Sequence, residues 1–210
     1  MATLQDVQDI ILAGKPKLAP GVVQEALDSG LDPKAILKTM IDAMSIVGDR
    51  FTRNEIFVPE MLVTAKAMKK GVAVLKPYLA EGETSAMGKM VIGTVSGDLH
   101  DIGKNLVVMM VESAGFEVID LGVDVPCEVF VETVRENPDT KLVGLSALLT
   151  TTMPAMEEIV AELNKQDFRP NIKIMVGGAP ITQEFADKIG ADCYTEDAAT
   201  AAVMAKKLVS

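Results

Sequence analysis

Three residues in one short stretch have the types and spacing to do chemistry. In Val95-Ser-Gly-Asp-Leu-His-Asp-Ile-Gly-Lys-Asn105, the residues Asp98, His100 and Gly103 form an Asp-x-His-x-x-Gly pattern around the single histidine of a 210-residue chain. A neutral imidazole offers one ring nitrogen to a metal. A carboxylate that accepts its other N–H fixes the tautomer and raises the basicity of the ligand. Asp98 stands two residues away and can do this if the loop curls. One imidazole alone suits a metal that arrives with most of its ligands in place and needs one more. A histidine that merely caps a helix has the same local sequence, so the surrounding elements decide.

The elements that would hold this loop are legible as alternating strands and helices. Lys89–Ser96 reads as a strand and Gly103–Ala114 as a helix. Phe116–Leu121, Lys141–Ser146 and Ile172–Val176 read as further strands, with a short one at Cys193–Tyr194. The helices between and after them are expected at Cys127–Glu136, Met153–Gln166, Thr182–Ile189 and Ala198–Leu208. Units of this kind imply a parallel sheet covered on both faces. A flavodoxin-like order 2-1-3-4-5 puts the ligand site outside the carboxyl ends of the strands, at the switch point beside strand 1. Asp98 and His100 follow strand 1 directly. Small and hydroxylated residues follow the neighbouring strands: Ser146, Thr150 and Thr152 after strand 3, and Gly177-Gly178 after strand 4. They leave room for something slender and polar, although Ser, Thr and Gly also serve ordinary caps and turns.

The first half has a different period. Thr3–Ala13 and Pro20–Ser29 are amphipathic, and Gly30 closes the second. Asp32-Pro33 opens a longer helix with Asp as N-cap and Pro at the first helical position. Its apolar residues Ile36, Leu37, Met40, Ile41, Met44 and Val47 recur at spacings of three and four. A turn near Arg53-Asn54 precedes Pro59, which opens a fourth helix that Pro77 ends. The expected domains are a four-helix bundle over 1–82, a linker over 83–88 and a flavodoxin-like (Rossmann-like) five-stranded parallel sheet domain over 89–210.

Composition narrows the function classes. Hydrophobic residues make up 49% and aromatics 4%, with thirteen Met and no Trp, so aliphatics and Met must fill the core. Met at this count either fills gaps or forms an adaptable apolar surface. The net charge is −10, and −9 of it falls in residues 89–210. Neither half is basic, which argues against nucleic acid as a partner. The N-terminus lacks the basic and apolar regions of a secretory signal, and no uncharged apolar run approaches the ~20 residues of a membrane span. A soluble, cytoplasmic protein is expected. Two widely separated cysteines make neither a disulfide framework nor a zinc site. Gly93-Thr-Val-Ser-Gly97 is no dinucleotide fingerprint, and Gly103-Lys104 is followed by Asn105, which breaks the P-loop pattern. Strand 3 ends in Ser146 rather than the acceptor Asp of a receiver domain, and no G-x-S-x-G elbow is present.

With these residues placed, the chain resembles the cobalamin-binding family. That signature runs Asp-x-His-x-x-Gly, then about forty residues to Ser-x-Leu, then under thirty to Gly-Gly. Here 42 residues separate Gly103 from Ser146, and 28 separate Leu148 from Gly177. The resemblance implies a cobalamin or related cobamide bound base-off, with its nucleotide tail in a slot and His100 as the lower axial cobalt ligand. Asp98 would be the hydrogen-bond partner of His100, and Leu99, Asp101 and Ile102 would share the loop against the cofactor. Gly103 would admit the tail, Ser146 and Leu148 would contact the buried base, and Gly177 and Gly178 would make room for it. Thr150, Tyr194 and Ala198 would be further wall positions. In methionine synthase the His–Asp pair extends to a serine, and this chain has Thr152 at that position. Val47 to Glu60 also resembles the helical cap of methionine synthase, with Phe51 and Val58 shielding the upper face of the corrin; Val58 replaces a leucine there.

The resemblance covers nearly the whole chain and leaves nothing over for a substrate-binding domain. It implies a methyl carrier that is not catalytic alone, working between a donor-specific methyltransferase and a second methyltransferase that serves tetrahydrofolate, tetrahydromethanopterin or a thiol. A reductive activation protein is a further candidate partner; nucleic acid and membrane are not. The alternatives are a corrinoid-dependent regulator, the small subunit of an adenosylcobalamin mutase, and a corrinoid-free flavodoxin-like interaction domain.

Overall fold

The computed structural model describes residues 2–53, 55–79 and 87–209. Two compact units divide the chain, one built from Met1–Met87 with Glu112–Phe116 and the other from Gly88–Val111 with Glu117–Ser210. Most of the expected linker falls outside the described residues.

Among its described residues the first unit holds the α-helices α1 Leu4–Leu12, α2 Ala19–Asp28, α3 Pro33–Thr52 and α4 Val58–Leu75. Their ends follow local chemistry. The Thr3 hydroxyl accepts from the Asp6 N–H, and the Asp6 carboxylate accepts from the Thr3 N–H at 2.8 Å, closing a capping box at α1. Asp32 caps α3 with Pro33 at its first position. The Glu60 carboxylate reaches back to the Phe57 N–H at 2.7 Å and fixes the start of α4. The helices bury Val7, Ile11, Val23, Ile36, Met40 and Met68. An added Cβ at Gly71 would run into Met40, so these two residues mark a close approach of α4 to α3. Four Met side chains, Met40, Met44, Met61 and Met68, are core filling.

The second unit is a five-stranded, all-parallel sheet in the order β2-β1-β3-β4-β5. Its strands are β1 Lys89–Thr94, β2 Glu117–Asp120, β3 Thr140–Ser146, β4 Lys173–Gly177 and β5 Cys193–Tyr194. Between and after them run α5 Ile102–Ser113, α6 Cys127–Glu136, α7 Met153–Asn164, α8 Gln183–Ile189 and α9 Ala198–Val209. This is the expected flavodoxin-like order.

Alternation along the strands assigns the two faces. Val91, Val143, Leu145, Ile174 and Val176 face α6, α7 and α8, where Phe130, Met156, Ile159 and Leu163 complete a fully buried core. Met90, Ile92, Leu142, Gly144 and Met175 take the opposite face, with α5 and α9. Each such aliphatic side chain contributes ~1.5–3 kcal/mol by leaving water. β1 is shorter than the pattern suggested because the chain turns at once. Asp98 N–H donates to the Val95 carbonyl at 3.1 Å, and Gly97 adopts φ +81°, which a side chain would strain. Past the end of β1, Val95 forms an isolated bridge to Val125 and donates its N–H to the Ser146 carbonyl at 3.0 Å.

Candidate cofactor site

The turn at Gly97 directs Asp98 inward and His100 outward. Asp98 is fully buried, whereas the His100 side chain is half exposed. One Asp98 oxygen accepts from the His100 backbone N–H at 3.1 Å and from His100 Nδ1 at 2.7 Å. The other accepts from the Leu148 N–H at 2.7 Å, the Leu149 N–H at 3.3 Å and the Thr152 hydroxyl at 2.9 Å. Burial pushes the carboxyl pKa up, but the hydrogen bonds from Leu148, His100 and Thr152 outweigh it and hold the group well below the usual carboxylate range. An ionised carboxylate only accepts, so Nδ1 must carry the proton. With Nδ1 engaged by Asp98, Nε2 is the ring nitrogen left for a metal.

Further contacts fix the loop. The Thr94 hydroxyl donates to the His100 carbonyl at 2.9 Å. Asp124, at φ +52°, donates its N–H to the Asp98 carbonyl at 2.9 Å, and its carboxylate accepts from the Gly97 N–H at 2.7 Å. Lys104, buried in the first turn of α5, donates to both Asp120 oxygens at 2.7 and 2.6 Å and to Asn105 at 2.8 Å. This ties the start of α5 to the end of β2. The Thr152 hydroxyl lies 2.9 Å from both Asp98 and the Leu149 carbonyl, and its single proton serves one of them at a time.

Beside the loop opens a cavity of about 590 Å³ between α5 and α9, over β1, β3 and β4. Its walls include His100, Gly103, Ser146, Leu148, Gly177 and Ala198, so residues from four separate stretches converge there. Leu99, Asp101, Ile102 and Gly178 also line it. Other expected positions stand elsewhere. Asp98 and Thr152 lie buried behind His100, and Thr150 is exposed in a short 3-10 turn, Thr150–Thr152. Tyr194 packs against the core on the α6–α8 face, and the next residue, Thr195, lines the cavity instead. Phe51, in the last turn of α3, belongs to the helical unit. Val58 opens α4, and its side chain lies outside the described residues.

Several site residues carry no motif. Gly144, Ile92 and Met175 floor the cavity, and Thr195 to Asp197 close one side. The floor had a readable signal: two steps back along the strands from Ser146 and Gly177 reach Gly144 and Met175 on the same face. The Lys104–Asp120 and Asp124 contacts had none.

Gly103 separates ligand from fold. A Cβ added there would meet nothing within 4 Å, so the empty space belongs to the cavity. Leu99 and Ile102 are 71% and 79% exposed, and Leu148 and Leu149 are also exposed. Together with His100 they form an apolar platform, suited to the underside of a flat macrocycle. Among the described residues no group of three or more His, Cys, Asp or Glu could hold a metal ion. One imidazole on an apolar platform can complete the coordination of a metal already chelated; it is not a cage for a free ion.

Such a fold, with an outward imidazole at its switch point above a slot, defines a corrinoid-binding protein. Residues 88–205 match the B12 binding domain family, and residues 3–76 match a second family with the same description. The dimethylamine corrinoid protein 1 of Methanosarcina acetivorans is 45% identical over 210 residues, 99% of this chain and 97% of that one. A cobalamin-binding protein from Desulfitobacterium hafniense superposes with a TM-score of 0.78 at 30% identity over 99% of both chains. The methanol:cobalamin methyltransferase complex MtaBC from Methanosarcina barkeri contains a chain matching at TM-score 0.85 and 28% identity, over 98% of this chain and 79% of that one. The chain belongs to the B12-binding family of corrinoid proteins. No helix among the described residues is long and apolar enough to cross a membrane.

Proposed function

We propose that the chain is a methyl-carrier corrinoid protein that receives a methyl group from a methylated-amine methyltransferase and yields it to a second methyltransferase. The observation that carries this reading is His100, with Nδ1 held by the buried carboxylate of Asp98 and the ring half exposed on the wall of the cavity. The cofactor supplies a cobalt that accepts and releases the methyl group. The chain would hold that cofactor through His100 Nε2 on cobalt, and its slot would take the nucleotide tail, the base-off, histidine-on arrangement. The amine donor is inferred from similarity to the dimethylamine corrinoid protein, and the working partnership from similarity to the methanol:cobalamin methyltransferase complex. The acceptor would be a pterin or a thiol served by the second enzyme, and a reductive activation protein would be a further partner. The division at 83–88 into a helical cap and a cofactor domain is part of this reading.

The test is His100→Ala in the holoprotein. The backbone N–H at position 100 still donates to Asp98, so the fold is retained. Cobamide still binds through its tail, but the visible spectrum shifts from a nitrogen-ligated to a water-ligated or unligated form, and methyl transfer from the amine enzyme falls at least tenfold. A variant with the wild-type spectrum and full transfer overturns the proposal.

A further inference from the structure

The cavity is layered by polarity, and the layers follow strand register. Thr94, Ser146 and Gly177 are register partners at the mouth, on the carboxyl ends of β1, β3 and β4. Two residues deeper, ~7 Å at the usual rise of a strand, Ile92, Gly144 and Met175 are partners in the same way. Below them stand Met90 and Leu142. The helices that wall the slot show the same gradient. Each polar side chain lining it lies in a loop, at a strand end or in a helix's first turn: His100, Asp101, Lys104, Ser146, Thr195, and the Glu196-Asp197 pair. Farther along the helices the walls are Leu106 and Val107 of α5 and Ala201 of α9. The amides and carbonyls of the floor are engaged in the β1–β3–β4 ladders. The Lys104 ammonium is taken by Asp120 and Asn105. Among the described residues the deep layer therefore offers no hydrogen-bond donor, and its acceptors are only the weak thioether sulfurs of Met90 and Met175.

We infer that this slot selects cobamides by their lower base, accepting a base whose outer ring is apolar and rejecting a purine, with Ile92 and Met175 as the selecting side chains. The inference rests on the reading that the nucleotide tail enters the slot. A benzimidazole carries both ring nitrogens in the five-membered ring, next to the ribose. That edge stays in the mouth layer near the Ser146 hydroxyl, and only the carbocycle reaches the floor. Adenine carries two ring nitrogens and an amine in its six-membered ring, the part that goes deepest. Those groups would leave water and find at best a thioether sulfur, a larger loss than any apolar mismatch. A phenolic base has an apolar ring throughout and passes the same test. The position a Cβ would take on Gly144 is filled by Met90 and Ile92, whose apolar side chains close the floor there.

The experiment is equilibrium titration of the corrinoid-free full chain with four probes: a benzimidazolyl, a phenolyl and an adeninyl cobamide, and cobinamide, which lacks the tail. Adeninyl cobamide should bind at least 10-fold more weakly than either the benzimidazolyl or the phenolyl form, about 1.4 kcal/mol. Met175→Gln and, separately, Ile92→Thr place a hydrogen-bonding group in the deep layer. At least one should narrow the adeninyl-to-benzimidazolyl ratio threefold or more, and the different costs of detaching each base from cobalt cancel in that comparison. Equal wild-type affinities for adeninyl and benzimidazolyl cobamides overturn the selection. A ratio unmoved by both variants overturns the assignment to Ile92 and Met175. Cobinamide binding as tightly as the benzimidazolyl form overturns instead the underlying reading that the tail occupies the slot.

Discussion

Asp98→Asn destabilises the corrinoid-free chain by about 2–5 kcal/mol, because no orientation of an amide can replace a carboxylate that accepts from five donors. If the amide nitrogen takes the place of one oxygen, it faces the N–H groups of Leu148 and Leu149, which lie at 2.7 and 3.3 Å from that oxygen in the native site. If it takes the other place, it faces the His100 backbone N–H and Nδ1. The imidazole can escape by moving its proton to Nε2, but this abolishes the lone pair that would ligate cobalt. Stability and ligation therefore fall together. The pH dependence has a definite sign. The Asp98 pKa is depressed in the folded state, so its stabilisation is present above the ordinary aspartate value of about 3.9 and is lost as pH falls below it. The difference between wild type and Asp98→Asn, measured by urea unfolding, should therefore shrink by about 1 kcal/mol between pH 5 and pH 3. A difference below 1 kcal/mol at pH 7, or one that does not change with pH, would show that the carboxylate charge is not what the five donors require.

The same residue shows why part of the site was legible in the sequence. Asp98 and His100 are two residues apart and their bond is local, so spacing alone suggested it. The link from Asp98 to Thr152 spans 54 positions, yet it too was suggested, by resemblance. The strand order followed from the alternation of elements, and the face of each long strand from period two. Cys193–Tyr194 is a strand of two residues, too short to show a period. The sequence thus gave no sign that Tyr194 faces the α6–α8 core while Thr195 reaches the cavity. The Lys104–Asp120 pair was hidden for another reason. A lysine in the first turn of a helix normally reads as a solvated charge, and only β2 lying against β1 brings Asp120 within reach. Asp124 similarly depends on an uncommon positive φ that residue type suggests only weakly.

Glycines of the motif separate what the ligand needs from what the fold needs. Gly103→Val should leave the corrinoid-free chain within about 1 kcal/mol of wild type, since its side chain enters open space in the first turn of α5. Gly103→Ala should be neutral or stabilising by up to about 1 kcal/mol, because Ala restricts the unfolded chain more than Gly does. Cobamide affinity should nevertheless fall at least 100-fold for the valine variant, about 2.7 kcal/mol, because its side chain projects from a wall of the cavity into the space a bound tail would take. Gly178→Ala reverses the pattern. Gly178 has φ +131°, and an added Cβ would fall on the Ala147 carbonyl oxygen, so the loop after β4 cannot close without moving β3. Its cost, about 3 kcal/mol or more in stability, should appear without any cofactor. Thermal unfolding of the corrinoid-free chains alongside cobamide titration measures both quantities for each variant. Wild-type affinity in Gly103→Val would place the cofactor outside the cavity beside α5. Wild-type stability in Gly178→Ala would mean that the β4 turn has slack the structure does not show. Only a slot shaped by the protein at Gly178 and by its occupant at Gly103 yields opposite answers from two glycines on its walls.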